Sequence, residues 1–521
     1  MFPLISLMES VSCKWLLLSF LLISWASSGL GAVDGVKGGK VRGVNLGNWL
    51  VIEGWMEPSL FNGIENQDML DGAKVRFQSL SLNKYVSAKY GGNTGLVTVD
   101  QNIANTWETF RLWRVSQSDY QFRTLNGQFL SCPGKGASIT TTSKLPSLNE
   151  TFTIERSSEN RVIIKNSGGT YLQASSGRNK LTADYVGTPG FNDGNAAIFK
   201  MTFVGDQMQG EYQLCNGHGL KNATKVLTEH RNNYITREDF QYLSQHRINT
   251  VRIPVGWWIT KDPNPPAPYV GGSLSALDNA FKWAQEVSIK CIIDLHAAPG
   301  SQNGKDHSSG RDDSIDWPSH IPETLEVIEF LASRYGNDPA LLGIELLSGP
   351  SSPEVPFDIL QKYYEDGYDI VRKHSPTAYV IMCQLSSYNA ADPPEPAALY
   401  QANTGKGKSY VVVDLHYFNV HKSLFDNMTA QQHINYLHDT RKTQMNSLNA
   451  ADGPLVFIGE WVNEFGIGGW SQREYQNFGR AQLDVYGSAS FGWAYWSLKN
   501  DANNHWSLKW NIDNNYLQLN A

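Results

Sequence analysis

Two kinds of repetition predict an α/β barrel that carries an all-β insert. Outside residues 71–204, apolar runs of strand length alternate with helix-length stretches, the pattern of a parallel βα barrel. Eight such runs are present, enough to close a (β/α)8 TIM barrel. Within 71–204 the pattern shortens to alternating segments and polar turns, with little of helical period.

The chain opens with Lys14, the apolar run Trp15–Trp25 (WLLLSFLLISW) and small residues from Ala26 to Ala32. This is a secretory signal pattern over 1–32, and the run is short for a membrane span. A signal anchor is the alternative. A secreted, extracellular protein is expected (cell wall or apoplast in a plant), with no membrane attachment once the signal is removed. Sequons at Asn149, Asn222 and Asn427 agree with that route.

Residues 33–70 and 205–521 are assigned to the barrel. Strands are expected at Val41–Leu46, Thr250–Pro254, Cys291–Leu295, Leu342–Leu346, Tyr379–Cys383, Tyr410–Leu415, Leu455–Ile458 and Gly492–Tyr495. Helices are expected at Arg237–Gln245, Leu274–Val287, Ile321–Tyr335, Pro356–His374, Gln431–Asn449 and Gln472–Tyr486. The first strand precedes the β-rich segment and the second follows it. The segment is therefore an insertion in the loop after barrel strand one, where it adds little closure entropy.

Inside the insert one pattern recurs: NKYVSA at Asn83–Ala88, GQFLSC at Gly127–Cys132 and GTYLQA at Gly169–Ala174, about 42–44 residues apart. Each copy precedes a Phe-centred run, at Thr109–Val115, Thr151–Arg156 and Ile198–Val204. Three copies predict a threefold unit whose aromatics share one core. The pattern is similar to the fascin-like β-trefoil, which is assigned to 71–204.

An apolar content of 41% and a charged content of 18% describe a globular chain, and a net charge of -7 argues against nucleic-acid partners. Sixteen Trp and 23 Tyr are a heavy aromatic load, suited to stacking on sugar faces but more often used in cores. Cys13 leaves with the signal; Cys132, Cys215, Cys291 and Cys383 remain, none at zinc-site spacing. Cys291 and Cys383 lie in apolar strand-like runs and read as buried thiols. No metal or cofactor is expected.

The chemistry centres on GIELLSGP at Gly343–Pro350 and VFIGEW at Val456–Trp461, both apolar strands running into polar residues. Together with NTVRIPVGWW, IIDLHAAPG and FGWAYWSLKN, they resemble family 5 glycoside hydrolases. RGVNLGNWLVIEGW at Arg42–Trp55 resembles the exo-β-1,3-glucanase branch. The resemblance covers nearly all of the chain outside the signal and the insert.

It implies a retaining site with two carboxyls about 5–5.5 Å apart. Glu460 is then the nucleophile and Arg252 the arginine that orients it. Glu53 and His296 line the terminal-sugar subsite, with Trp496 as its floor, and His416 belongs to the strand-six motif. The family's acid/base Glu is replaced by Gly349, and the Asn before it by Ser348. Phe418 stands where a tyrosine is usual. Glu345, four residues back from Gly349 along the same strand, and Glu354, beyond two prolines, are poorly placed as replacement donors; Asp306, Asp312 and Asp313, in the loop after strand three, are better placed to line the mouth.

The expected function is therefore a β-glucoside or β-glucan hydrolase by family, with hydrolysis weak, biased to transfer, or lost. The alternative is a catalytically inactive secreted carbohydrate-binding protein. A third reading makes the insert the working part and the barrel its scaffold.

Overall fold

The computed structural model describes residues 33–157, 160–175, 177, 179–387, 407–420, 422–450, 453–466 and 469–519. The signal-like segment 1–32 lies outside them. Eight parallel strands close a barrel: Val41–Asn45, Thr250–Gly256, Lys290–Ala297, Leu341–Glu345, Tyr379–Cys383, Val411–Tyr417, Leu455–Trp461 and Gly492–Tyr495. Closure is made by Val41 pairing with Gly492 and Gly43 pairing with Thr250. The strands are apolar on both faces because helices cover the outside and side chains fill the inside.

Register explains where polarity enters. Val41, Ile292, Ile381, Val412, Phe457 and Ala494 form a buried apolar cluster in the lower barrel. Two residues further along three of these strands come Asp294, Cys383 and Asp414; two further along two of them come His296 and His416. With a side-chain period of two, each series shares one face, so polarity rises toward the C-terminal mouth.

Five expected helices appear within one residue of their expected ends. Gln472–Tyr486 starts from a capping box, in which the Ser471 side chain accepts from the Glu474 amide and Glu474 accepts from the Ser471 amide. The stretch expected as one helix at Gln431–Asn449 is instead Ala430–Tyr436, a π-helical segment Leu437–Arg441, and Lys442–Ala450. A helix at Glu211–Asn233 was not expected, because Gly217 and Gly219 interrupt its pattern. Tertiary burial supplies what propensity lacks: Leu214, Cys215 and Leu227 pack on Ile52, Leu60 and Leu70.

Twelve antiparallel strands lie between the first and second barrel strands. Six form a closed ring in chain order: Lys74–Ser79, Phe110–Arg114, Asp119–Arg123, Thr151–Arg156, Arg161–Asn166 and Phe199–Phe203, the last pairing with the first. The other six make three hairpins: Lys84–Ala88 with Val97–Gln101, Phe129–Ser131 with Thr140–Ser143, and Gln173–Ser175 with Lys180–Thr182. Phe110, Phe152 and Phe199, one from each Phe-centred run, are buried in a common core. At its base the insert is tied by a bridge between Glu53 and Gly210 and by the Gly54 amide donating to the Gln209 carbonyl at 2.7 Å.

The loop after the third barrel strand grips the insert. Asp312, 3% exposed, accepts from Arg123 Nη1 at 2.8 Å and from Trp113 Nε1 at 2.7 Å. Asp313 pairs with Lys74 Nζ at 2.6 Å and with Arg111. Arg311 bonds Asp71 at 2.7 Å and lies over the Trp113 ring at 4.1 Å. Asp312 and Asp313 are thus committed to the insert and are not proton donors at the mouth. Asp312→Ala would take the carboxylate from Arg123, which keeps Ser314, and would leave the Trp113 N–H without this acceptor, with an expected loss of about 1–3 kcal/mol. Denaturant unfolding measures that loss, and limited proteolysis should show new cleavage within 301–314.

Candidate active site

Arg252 stands at the centre of the barrel mouth with no exposed surface. Its Nε and Nη2 grip both Glu345 oxygens at 2.7 and 2.9 Å. Nη1 donates to Asn45 Oδ1 at 2.8 Å and Glu460 Oε1 at 3.2 Å, and Nη2 donates to Ser348 Oγ at 3.2 Å. Asp294 lies 3.2 Å away and Asp414 3.9 Å. Burial opposes the charge on this guanidinium, but Asp294, Glu345 and Glu460 outweigh it and hold its pKa well above the usual value. Glu345 is therefore locked beneath the mouth and is no substitute acid. Glu354 is exposed on the loop beyond.

The seventh strand ends at Trp461 and carries Glu460, whose second oxygen lies 3.3 Å from His416 Nδ1. The structure thus brings Glu460, Arg252, His416 and Ser348 together. His296 joins them from the third strand, its Nδ1 bonding Asp294 at 2.7 Å and its ring stacked on Trp496 at 5.3 Å. Glu53 interacts electrostatically with both His296 and Glu460. One of its oxygens accepts from Trp55 Nε1 at 2.9 Å, while the other is buried without a partner. Trp55 meets Trp506 edge-on at 5.0 Å, and Phe418 stacks on Trp506 at 5.5 Å, so an aromatic wall extends from the Glu53 side.

Ser348 and Gly349 follow the fourth strand. Gly349 has φ +52, and a Cβ there would meet only Asn303 Nδ2, at 3.6 Å. Among the described residues, its chain neighbours aside, no carboxyl or hydroxyl lies within 4 Å of that Cβ position. The Gly349 amide donates to Cys383 Sγ at 3.3 Å, and its carbonyl accepts from Asn303 Nδ2 at 3.0 Å. Gln302 Nε2 bonds the carbonyls of His296 and Ser348 at 2.7 and 2.9 Å. The loop that grips the insert at 311–314 therefore braces the site at 302–303. Of the three loop acids, Asp306 alone interacts with Glu53.

Sequence reasoning passed over Gln302, Asn303 and His307, which carry no pattern of their own. Cys383 is a free buried thiol, as its apolar run suggests. Its contact with His416 Nε2 at 3.7 Å was not read from the sequence, although its place as the last residue of the fifth strand was an available signal.

Burial pushes the Glu53 carboxyl from its ordinary 4.5 up to about 7, with His296 pulling the other way. A folded-state pKa raised above the unfolded one costs stability as pH rises from 4.5 to 7, here by about 3 kcal/mol. Glu53→Gln should match wild type near pH 4 and exceed it in stability at pH 8. Urea melts across that range check the sign.

Residues 215–502 match the family described as Cellulase (glycosyl hydrolase family 5), and residues 66–204 match a domain of unknown function (DUF7910). The chain is 32% identical over 352 residues to a probable glucan 1,3-beta-glucosidase A of Emericella nidulans, covering 59% of this chain and 82% of that protein. It is 31% identical over 357 residues to a glucan 1,3-beta-glucosidase of Blumeria graminis, covering 60% and 80%. A rutinosidase structure from Aspergillus niger aligns with a TM-score of 0.49 at 19% identity, over 59% and 88%. With a match that spans more than half of its length, the chain belongs to glycosyl hydrolase family 5.

Proposed function

We propose that this chain is a secreted β-glucoside- or β-glucan-directed member of family 5 whose nucleophile is intact and whose acid/base is missing. One observation carries the reading: Glu460 is held by Arg252 at 3.2 Å and His416 at 3.3 Å, while Gly349 offers no side chain. Glu53, His296, Ser348 and Trp496 are its sugar-binding neighbours. The insert reads as a β-trefoil, on the support of its six-strand ring and three hairpins. Secretion rests on the pattern of residues 1–32; among the described residues no helix is long and apolar enough to cross a membrane. Asn149, Asn222 and Asn427 are exposed, as glycan acceptors must be.

In this scheme Glu460 attacks the anomeric carbon, the bond to the leaving oxygen breaks, and a glycosyl ester forms on the enzyme. No carboxyl protonates the departing sugar oxygen, a loss worth about 10²–10⁴ in rate, or about 3–5.5 kcal/mol of barrier. An aryl or fluoride leaving group departs as an anion and escapes that penalty. The ester is then released slowly by water or by an acceptor hydroxyl, whose proton passes to solvent. Activated donors and transfer products are favoured over hydrolysis of plain glucans.

Intact-mass spectrometry after treatment with an activated 2-fluoro-β-glucoside tests this. A single hexosyl adduct on wild type and none on Glu460→Gln is expected. Saturable sugar binding without an adduct would make the chain a non-catalytic binder. Restoring the acid has a structural cost, because φ +52 is a left-handed backbone. Gly349→Glu should lower stability by about 1–2 kcal/mol. It should still speed cleavage of an unactivated β-glucoside more than that of an aryl one, as side-by-side rate measurements would show.

A further inference from the structure

Four carboxyls crowd one guanidinium here: Glu345, Asp294, Glu460 and Asp414 lie 2.7–3.9 Å from Arg252. Glu345 is fully used by Arg252, which leaves Asp414 facing His416 and Cys383. His416 Nε2 is 3.1 Å from Asp414 Oδ2 and 3.7 Å from Cys383 Sγ. The potential ligand atoms of this group all lie within 4.8 Å of one another.

We propose that Cys383, His416 and Asp414 form a zinc site beneath the vacated acid/base position. Around a tetrahedral Zn²⁺, with Zn–S of about 2.3 Å and Zn–N and Zn–O of about 2.0–2.1 Å, the sulfur–nitrogen edge is about 3.6 Å and the nitrogen–oxygen edge about 3.3 Å. The two observed separations match these edges to within about 0.2 Å. Thiolate, imidazole and carboxylate together suit zinc, whereas magnesium and calcium prefer oxygen alone.

The surroundings also fit. His416 turns its other nitrogen to Glu460 at 3.3 Å, Asp414 Oδ1 accepts the Gly459 amide at 2.6 Å, and Cys383 Sγ accepts the Gly349 amide at 3.3 Å. Each ligand is thus oriented by an outer partner. Three protein ligands leave a fourth position for water or an anion. The spacing test misses the site because Cys383 and His416, 33 residues apart, come from separate strands.

The experiment is a Co²⁺ titration of chelator-treated full-length protein, followed by Zn²⁺ displacement and metal analysis. One equivalent is expected, with a thiolate-to-cobalt charge-transfer band and the visible bands of a tetrahedral ion. Cys383→Ser should abolish the charge-transfer band and weaken zinc binding at least about a hundredfold. Glu460→Gln, which keeps all three ligands, should weaken it about ten- to a hundredfold. No band in wild type, or the same band in a folded Cys383→Ser, overturns the proposal. Should Cys383→Ser fail to fold, alkylation mapping of wild type decides. Zinc that shields the Cys383 peptide upholds the site, and equal labelling with and without zinc overturns it.

Discussion

A positive charge sealed inside a barrel is tolerable only if its surroundings answer it, and Arg252 is answered from five other strands at once. Asn45, Asp294, Glu345, Ser348, Asp414 and Glu460 reach it from the first, third, fourth, sixth and seventh strands or their exits, and Arg252 itself comes from the second. Removing such a charge strands its partners; removing any one partner leaves a surplus on the other side. The mouth is therefore a single electrostatic unit. Its outer edge, Glu460 with His416, inherits its geometry from the buried groups behind it.

This coupling does not depend on position 349. Gly349 contributes no side chain to the network, so a glycine there leaves none of its buried charges unpaired. Ser348 still accepts from Arg252, and the 302–303 segment still braces the backbone on either side.

Much of this was legible in the residues. His296 and His416 were legible through the resemblance of their motifs, and Glu460 also because an apolar strand ending in Gly-Glu-Trp leaves a carboxylate facing the cavity. Asp294 and Asp414, two residues before the histidines, were not singled out. The partners of Asp312 and Asp313 were not, since nothing in a charged loop reveals which domain supplies its cations. Cys383 is the buried thiol its apolar run suggests, and only the register shows that it faces His416. The helical stretch at Glu211–Asn233 was hidden by two glycines, and it kinks at the second, Gly219, where φ is +71.

The bridge between Glu53 and Gly210 has a bearing on the order in which the chain assembles. Pairing Gly43 with Thr250 joins positions 207 residues apart, a long loop to close from the unfolded state. An insert that folds first on its own local pairings draws 53 and 210 together and leaves roughly 50 residues of slack, which cuts the closure entropy by about 1 kcal/mol. The domain then acts as an internal clasp during barrel closure. Because Glu53 itself forms the bridge, the position of its carboxylate at the barrel mouth is tied to the base of the insert.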